Sequence, residues 1–158
     1  MSTGHSVANN FYRAFARRDS ADMNACYSDE ATFSDPIFSG LTARETKAMW
    51  EMLCSSAKDF SLTYEIADAG ESHAVVNWIA RYSFGPTDRQ VENKVSTQME
   101  IKAGKIIRQA DSFSFPRWAR QALGPVGLIL GALPFFKRKV QSNAHARLTK
   151  YLKTFGQS

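Results

Sequence analysis

Two carboxylates in this chain stand among apolar neighbours, where acid–base chemistry would be favoured. The first lies in YSDEATFSDPIFSG, residues 27–40, in which Asp35 is surrounded by Phe33, Ile37 and Phe38 and followed by Pro36. Local physics reads the Asp-Pro pair as a turn, since Asp initiates turns and a proline pushes the residue before it toward an extended conformation. A carboxylate facing an apolar pocket would instead work as an acid or base. The second, Asp111, lies in KIIRQADSFSF, residues 105–115. Strand alternation puts it on one face with Ile107, Gln109, Phe113 and Phe115. If the sheet curls around those aromatics, Asp111 points into a cavity; otherwise it is solvated, or pairs with Arg81 or Arg108.

The elements that would position these groups can be read from the pattern. Val7, Ala8, Phe11, Tyr12, Ala14 and Phe15 have the spacing of an amphipathic helix over residues 5–18. Asp19 or Ser20 caps a short second helix carrying Met23, Ala25 and Cys26. After the extended ATFSDPIF, Thr42 and Glu45 form a capping box for a third helix running to about Ala57. The period then changes to two. SLTYEIADAG, HAVVNWIARYSF, QVENKVSTQMEIKAG and KIIRQADSFSF read as four successive strands, broken at Ala69-Gly70, Gly85-Pro86 and Ala103-Gly104. In the second strand Val76, Trp78, Ala80, Tyr82 and Phe84 share a face. The expected fold class is α+β: a cone-shaped, curved antiparallel sheet with three N-terminal helices over its concave face.

Bulk composition sets the remaining bounds. The chain has 158 residues, 44% hydrophobic and 22% charged, as expected for a globular protein with a substantial core. Cys26 and Cys54 have no metal-ligand spacing, and His5, His73 and His145 are scattered, so no metal site and no cofactor is expected. The opening residues lack a basic head followed by an apolar run, which with so few cysteines points to a reducing cytoplasm. Charge is uneven. Residues 1–115 carry all 15 acids and 12 of the 20 Lys and Arg, whereas residues 116–158 carry the other eight and no acid. The basic character belongs to the tail.

The helix and strand order, the segment Tyr27–Pro36 and the segment Gly104–Phe113 together resemble the nuclear transport factor two-like superfamily, most closely its ketosteroid isomerase-like and polyketide cyclase-like (SnoaL-like) branch. The resemblance covers residues 5–115. It implies a conical fold, one helix-lined apolar pocket for a small apolar ligand, and a homodimer. It matches Asp35 to the general base of ketosteroid isomerases. Their oxyanion tyrosine falls on Phe11, with Tyr12 one step away, and their second oxyanion donor, a protonated Asp, falls near Thr97. Fold-related epoxide hydrolases use a last-strand Asp matching Asp111, but their Arg-x-Asp is replaced by Trp78-Ile79-Ala80. The His found in many relatives two residues before that Asp is Gln109, which cannot shuttle a proton. None of the three families' catalytic sets is complete.

What remains is an Asp35 and Asp111 pair, the candidate catalytic residues. Tyr12, Gln109 and, more weakly, Asn77 are polar helpers, and Phe33, Trp50, Trp78, Tyr82 and Phe113 are apolar walls. Each aromatic taken singly is more often an ordinary core residue than a ligand wall. Two carboxylates in one dry site are driven apart in pKa, leaving one neutral acid and one base, which suits isomerisation, cyclisation or dehydration of an apolar carbonyl compound. The competing functions are a non-catalytic binder of an apolar molecule or lipid, and a dimerisation scaffold.

The division expected is a SnoaL-like domain over 1–115 and a tail over 116–158. The tail combines an apolar run, Leu123–Phe136, with a basic amphipathic helix on which Val140, Ala144, Leu148, Tyr151 or Leu152, and Phe155 recur. Fourteen apolar residues broken by prolines and glycines are too few to span a bilayer. The run is expected first to pack as a loop on the cone mouth or a dimer partner. The alternative is peripheral membrane contact through residues 117–139, where basic residues flank an apolar wedge. Nucleic acid is not an expected partner, because the cations are not interleaved with stacking aromatics.

Overall fold

The computed structural model describes residues 1–156. Helix α1, Thr3–Ala16, starts two residues earlier than its apolar period suggested, because the Ser2 hydroxyl accepts from the His5 N–H as an N-cap. Its stripe of Val7, Ala8, Phe11, Tyr12, Ala14 and Phe15 is buried. At Gly4 the helix meets the hairpin that follows: a side chain there would collide with the backbone carbonyls of Gly70 and His73, so only glycine permits the approach. Asp19 caps α2, Ser20–Asn24, and the Thr42–Glu45 capping box begins α3, Ala43–Ser56.

The sheet contains β1 (Tyr27–Ser34), β2 (Ser61–Ala69), β3 (His73–Phe84), β4 (Arg89–Lys102) and β5 (Lys105–Ser112), in the order β1-β5-β4-β3-β2. The four later strands form the expected antiparallel meander. Ala103 and Gly104 turn the last hairpin with positive φ at both positions, the twist that a two-residue hairpin requires. The first strand departs from that pattern. It lies parallel to β5, joined to it through the whole intervening α3–β4 excursion, and its register slips between Tyr27 and Thr32.

Register determines which side chains meet on the concave face. Thr97 of β4 lies opposite Val76 on one side and Asp111 on the other, and Met99 lies opposite Gln109. Trp78 is opposite Val95, and so diagonal to Thr97. Over this face, Phe11, Tyr12 and Phe15 of α1 interlock with Trp50, Trp78 and Tyr27 at ring-centroid separations of 5.0–6.3 Å. Edge-on and tilted rings fill the concave side as a packed core.

The tail is helical throughout its described part. After α4, Phe115–Leu123, capped by the Ser114 hydroxyl, the apolar run expected as a loop instead contains α5, Pro125–Gly131. Pro134 then starts α6, Pro134–Leu152. Proline at the first turn gives up no helical hydrogen bond, so residues that look like breakers serve here as starters. Helix α6 packs against α3: Leu148 is buried, Ala144, Tyr151 and Leu152 cover the core edge, and the Tyr151 hydroxyl donates to Glu51. No helix among the described residues is long and apolar enough to cross a membrane.

Candidate active site

Asp35 follows the end of β1 and does both things its sequence context suggested. It is a turn residue: Oδ1 accepts from the backbone N–H of Ile37 at 2.7 Å and of Phe38 at 2.6 Å, while its own N–H donates to the Phe38 carbonyl. It is also largely withdrawn from water. Burial pushes its pKa up to about 6, although the two backbone donors and the nearby His145 oppose the rise. Because both donors bind Oδ1, Oδ2 is the oxygen available to exchange a proton.

Asp111 is more deeply enclosed, at 8% exposure. Burial raises its pKa to about 7, and the Asp35 charge adds to the rise; hydrogen bonds from Thr97 and Gln109 work against it. None of the ion pairs among the described residues includes it. Arg81 pairs with Glu92 and Arg108 with Glu100, so both arginines that might have made Asp111 a structural ion pair are engaged elsewhere.

A directed chain of hydrogen bonds ends on Asp111 Oδ1. From one side Trp50 Nε1 donates to the Tyr27 hydroxyl (2.8 Å), Tyr27 donates to Gln109 Oε1 (2.6 Å), and Gln109 Nε2 donates to Asp111 (3.2 Å). From the other, Trp78 Nε1 donates to Thr97 Oγ1 and Thr97 donates to Asp111, each at 2.7 Å. Every donor in the chain is buried and fixed by its neighbour, so Asp111 is held rigidly and its Oδ2 carries the proton when the acid is neutral. Tyr12 reaches the same cluster but obtains no hydrogen bond there. Its hydroxyl is buried and has no hydrogen-bond partner among the described residues. Burial and the Asp111 charge hold that phenol well above its ordinary pKa, so it remains a neutral donor with no acceptor.

The structure therefore groups Asp111, Gln109, Tyr12, Trp50 and Trp78, with Phe33 edge-on to Trp50 at 5.6 Å and Asp35 within electrostatic reach. Tyr82 lies elsewhere, at the hairpin end of β3, where its hydroxyl accepts from Trp118 of α4. Phe113 sits half-buried at the edge of the core, and Asn77 is exposed on the outer face of the sheet. Two contributors were not visible as site residues. Tyr27 was hidden by the slip in β1 that breaks its alternation. His145, T-shaped against Phe38 at 5.3 Å, lies beside the apolar stripe of α6, and that stripe was the available signal. Gln141, one turn earlier, donates to the Pro36 carbonyl, so α6 covers the Asp35 turn.

Two surface depressions, of about 530 and 470 Å³, are present, and neither is lined by Asp35 or Asp111. One is on the outer sheet face around Asn77, Lys94 and Ser96; the other is beside Arg13, Arg17 and Lys105.

Comparison with known proteins agrees with a cone of this topology. The SnoaL-like domain family matches residues 8–109, and the chain belongs to that family. Among solved structures, a protein of ketosteroid isomerase-like fold from Catenulispora acidiphila, in complex with trimethylamine, aligns with a TM-score of 0.66 at 12% identity, covering 75% of this chain and 93% of that one. A candidate polyketide cyclase from a Silicibacter species aligns at 0.67 and 17%, covering 76% and 96%. An epoxide hydrolase from M. tuberculosis described as LEH-like aligns at 0.62 and 18%, covering 82% and 97%. At such identities the likeness speaks for the fold alone. No curated protein sequence matches the chain.

Proposed function

We propose that this protein is an isomerase- or cyclase-like enzyme that performs acid–base chemistry on a small apolar carbonyl compound, with Asp35 as base and Asp111 as acid. The observation that carries this reading is the pair of raised carboxylates, Asp35 at about 6 and Asp111 at about 7, close enough that the charge of the first raises the second. Between those values Asp35 is ionised while Asp111 keeps its proton, as a concerted enolisation requires. Asp35 Oδ2 takes the α-proton, and Asp111 Oδ2–H donates to the carbonyl oxygen as charge develops there. The partnerless Tyr12 hydroxyl supplies a second donor to that oxygen, in the role left open by Phe11.

The experiment is proton exchange of a panel of apolar ketones in D₂O, followed by NMR. Enzyme-dependent loss of α-protons, abolished in both Asp35→Asn and Asp111→Asn, is expected. Exchange that survives both substitutions contradicts the reading.

One observation favours a second reading, a non-catalytic binder of an apolar ligand. Phe11, Tyr12, Phe33, Trp50 and Trp78 are all 7% exposed or less, so entry of a ligand requires α6 or the rings to move. Under that reading both Asp variants bind an apolar fluorophore as the parent does, and no ketone exchanges. The family resemblance also supports a homodimer, which sedimentation equilibrium tests.

A further inference from the structure

Helix α5 is apolar on the wrong side for a helix of a closed globule. Its small residues face inward: Gly127 and Gly131 are buried against α4, where a side chain at Gly127 would strike the Ala119 carbonyl and one at Gly131 would come within 2.8 Å of Pro116 Cα. Backbone-to-backbone seating of this kind goes with apolar side chains left on the outer surface. Val126 is 62% exposed, Ile129 70%, and Phe135, at the start of α6, 59%. Of the five large hydrophobic residues exposed among those described, three fall within these ten positions, so the clustering is a local feature and not a general looseness.

The charges of the tail have one sign. Residues 116–158 hold eight Lys and Arg and no Asp or Glu, and none of the ion pairs among the described residues involves a tail cation. Arg117, Arg120, Arg138 and Lys139 are exposed, flanking α5 on both sides in sequence. Lys137 instead lies over the Phe115 ring, 5.8 Å from its centroid, and ties the start of α6 to α4. The tip is therefore braced, with bulky apolar side chains outward and unpaired cations beside it.

We propose that residues 117–139 form a peripheral docking surface for an anionic lipid bilayer. Val126, Ile129 and Phe135 enter the headgroup–acyl boundary, and the flanking cations meet lipid phosphates and carboxylates. The charge pattern selects this occupant. An apolar tip alone would suit a second copy of the chain, but that arrangement would bring two sets of unpaired cations together, whereas an anionic surface neutralises them. The contact is interfacial, since α5 has only seven residues.

The test uses the full chain and flotation with vesicles of phosphatidylcholine, with and without phosphatidylserine. Binding is expected at low salt on the phosphatidylserine vesicles, weaker on phosphatidylcholine alone, and released by salt. Ile129→Ser with Phe135→Ser, and separately Arg138→Gln with Lys139→Gln, should each weaken it about tenfold or more. Both pairs are exposed, so circular dichroism should match the parent. The proposal is overturned if the parent ignores anionic vesicles at low salt, or if both double variants bind as the parent does. It is equally overturned if the serine pair changes only the oligomeric state, which would assign the tip to a second copy.

Discussion

Thr97 gives its only proton to Asp111 Oδ1 at 2.7 Å while accepting, also at 2.7 Å, the indole N–H of Trp78. The position that resemblance assigned to an oxyanion-hole Asp is thus filled by a residue that orients another carboxylate, one strand over. The buried carboxylate stands on β5 rather than β4, and Thr97 is hydrogen-bonded to it there.

Thr97→Val tests that arrangement. It conserves shape but removes both hydrogen bonds, leaving the Trp78 N–H unsatisfied and Asp111 with one donor fewer. We expect a loss of about 2–3 kcal/mol in urea unfolding and a rise in the Asp111 pKa, because the lost bond favoured the charged form.

Asp111→Asn should change the pH dependence of stability. Folding raises both carboxylate pKa values, so between about pH 4 and 7 the folded state holds more protons than the unfolded chain. The contribution is full below the unfolded value and is lost as pH rises through about 6 for Asp35 and about 7 for Asp111. Asn still accepts from Thr97 and Gln109 without ionising. The variant should be more stable than the parent at pH 8, by on the order of 4 kcal/mol, with the advantage vanishing near pH 4. An unchanged difference across that range would contradict the raised pKa.

His145→Ala removes a ring that packs on Phe38 and a charge that lowers the Asp35 pKa. The Asp35 titration should therefore move above about 6, while Asp111, with no direct contribution from His145, should hold near 7. Carboxyl chemical shifts resolve the two.

Legibility in the sequence followed the strength of local signals. The capping box at Thr42, the two-residue turn at Ala103-Gly104 and the alternation of Val76, Trp78 and Ala80 each fix conformation within a few residues, so α3 and the β2–β5 meander could be read directly. The parallel pairing of β1 with β5 could not, because nothing within β1 encodes a partner more than seventy residues away. At the site, alternation found Gln109 and Asp111. It could not find Tyr27, which the register slip displaces, nor that Tyr82 turns to Trp118. In the tail, prolines that looked like chain breaks begin helices, and the direction of the apolar side of α5 depends on glycine contacts that appear only once α4 is in place.

The most direct measurement is a pH titration of the ¹³C-labelled carboxyl groups of Asp35 and Asp111, assigned with the two Asn variants. Inflections near 6 and near 7 are predicted, with Asp35 ionising first. If both groups titrate in the ordinary range near 4, the cluster holds no neutral acid at physiological pH, and the acid–base function fails with it.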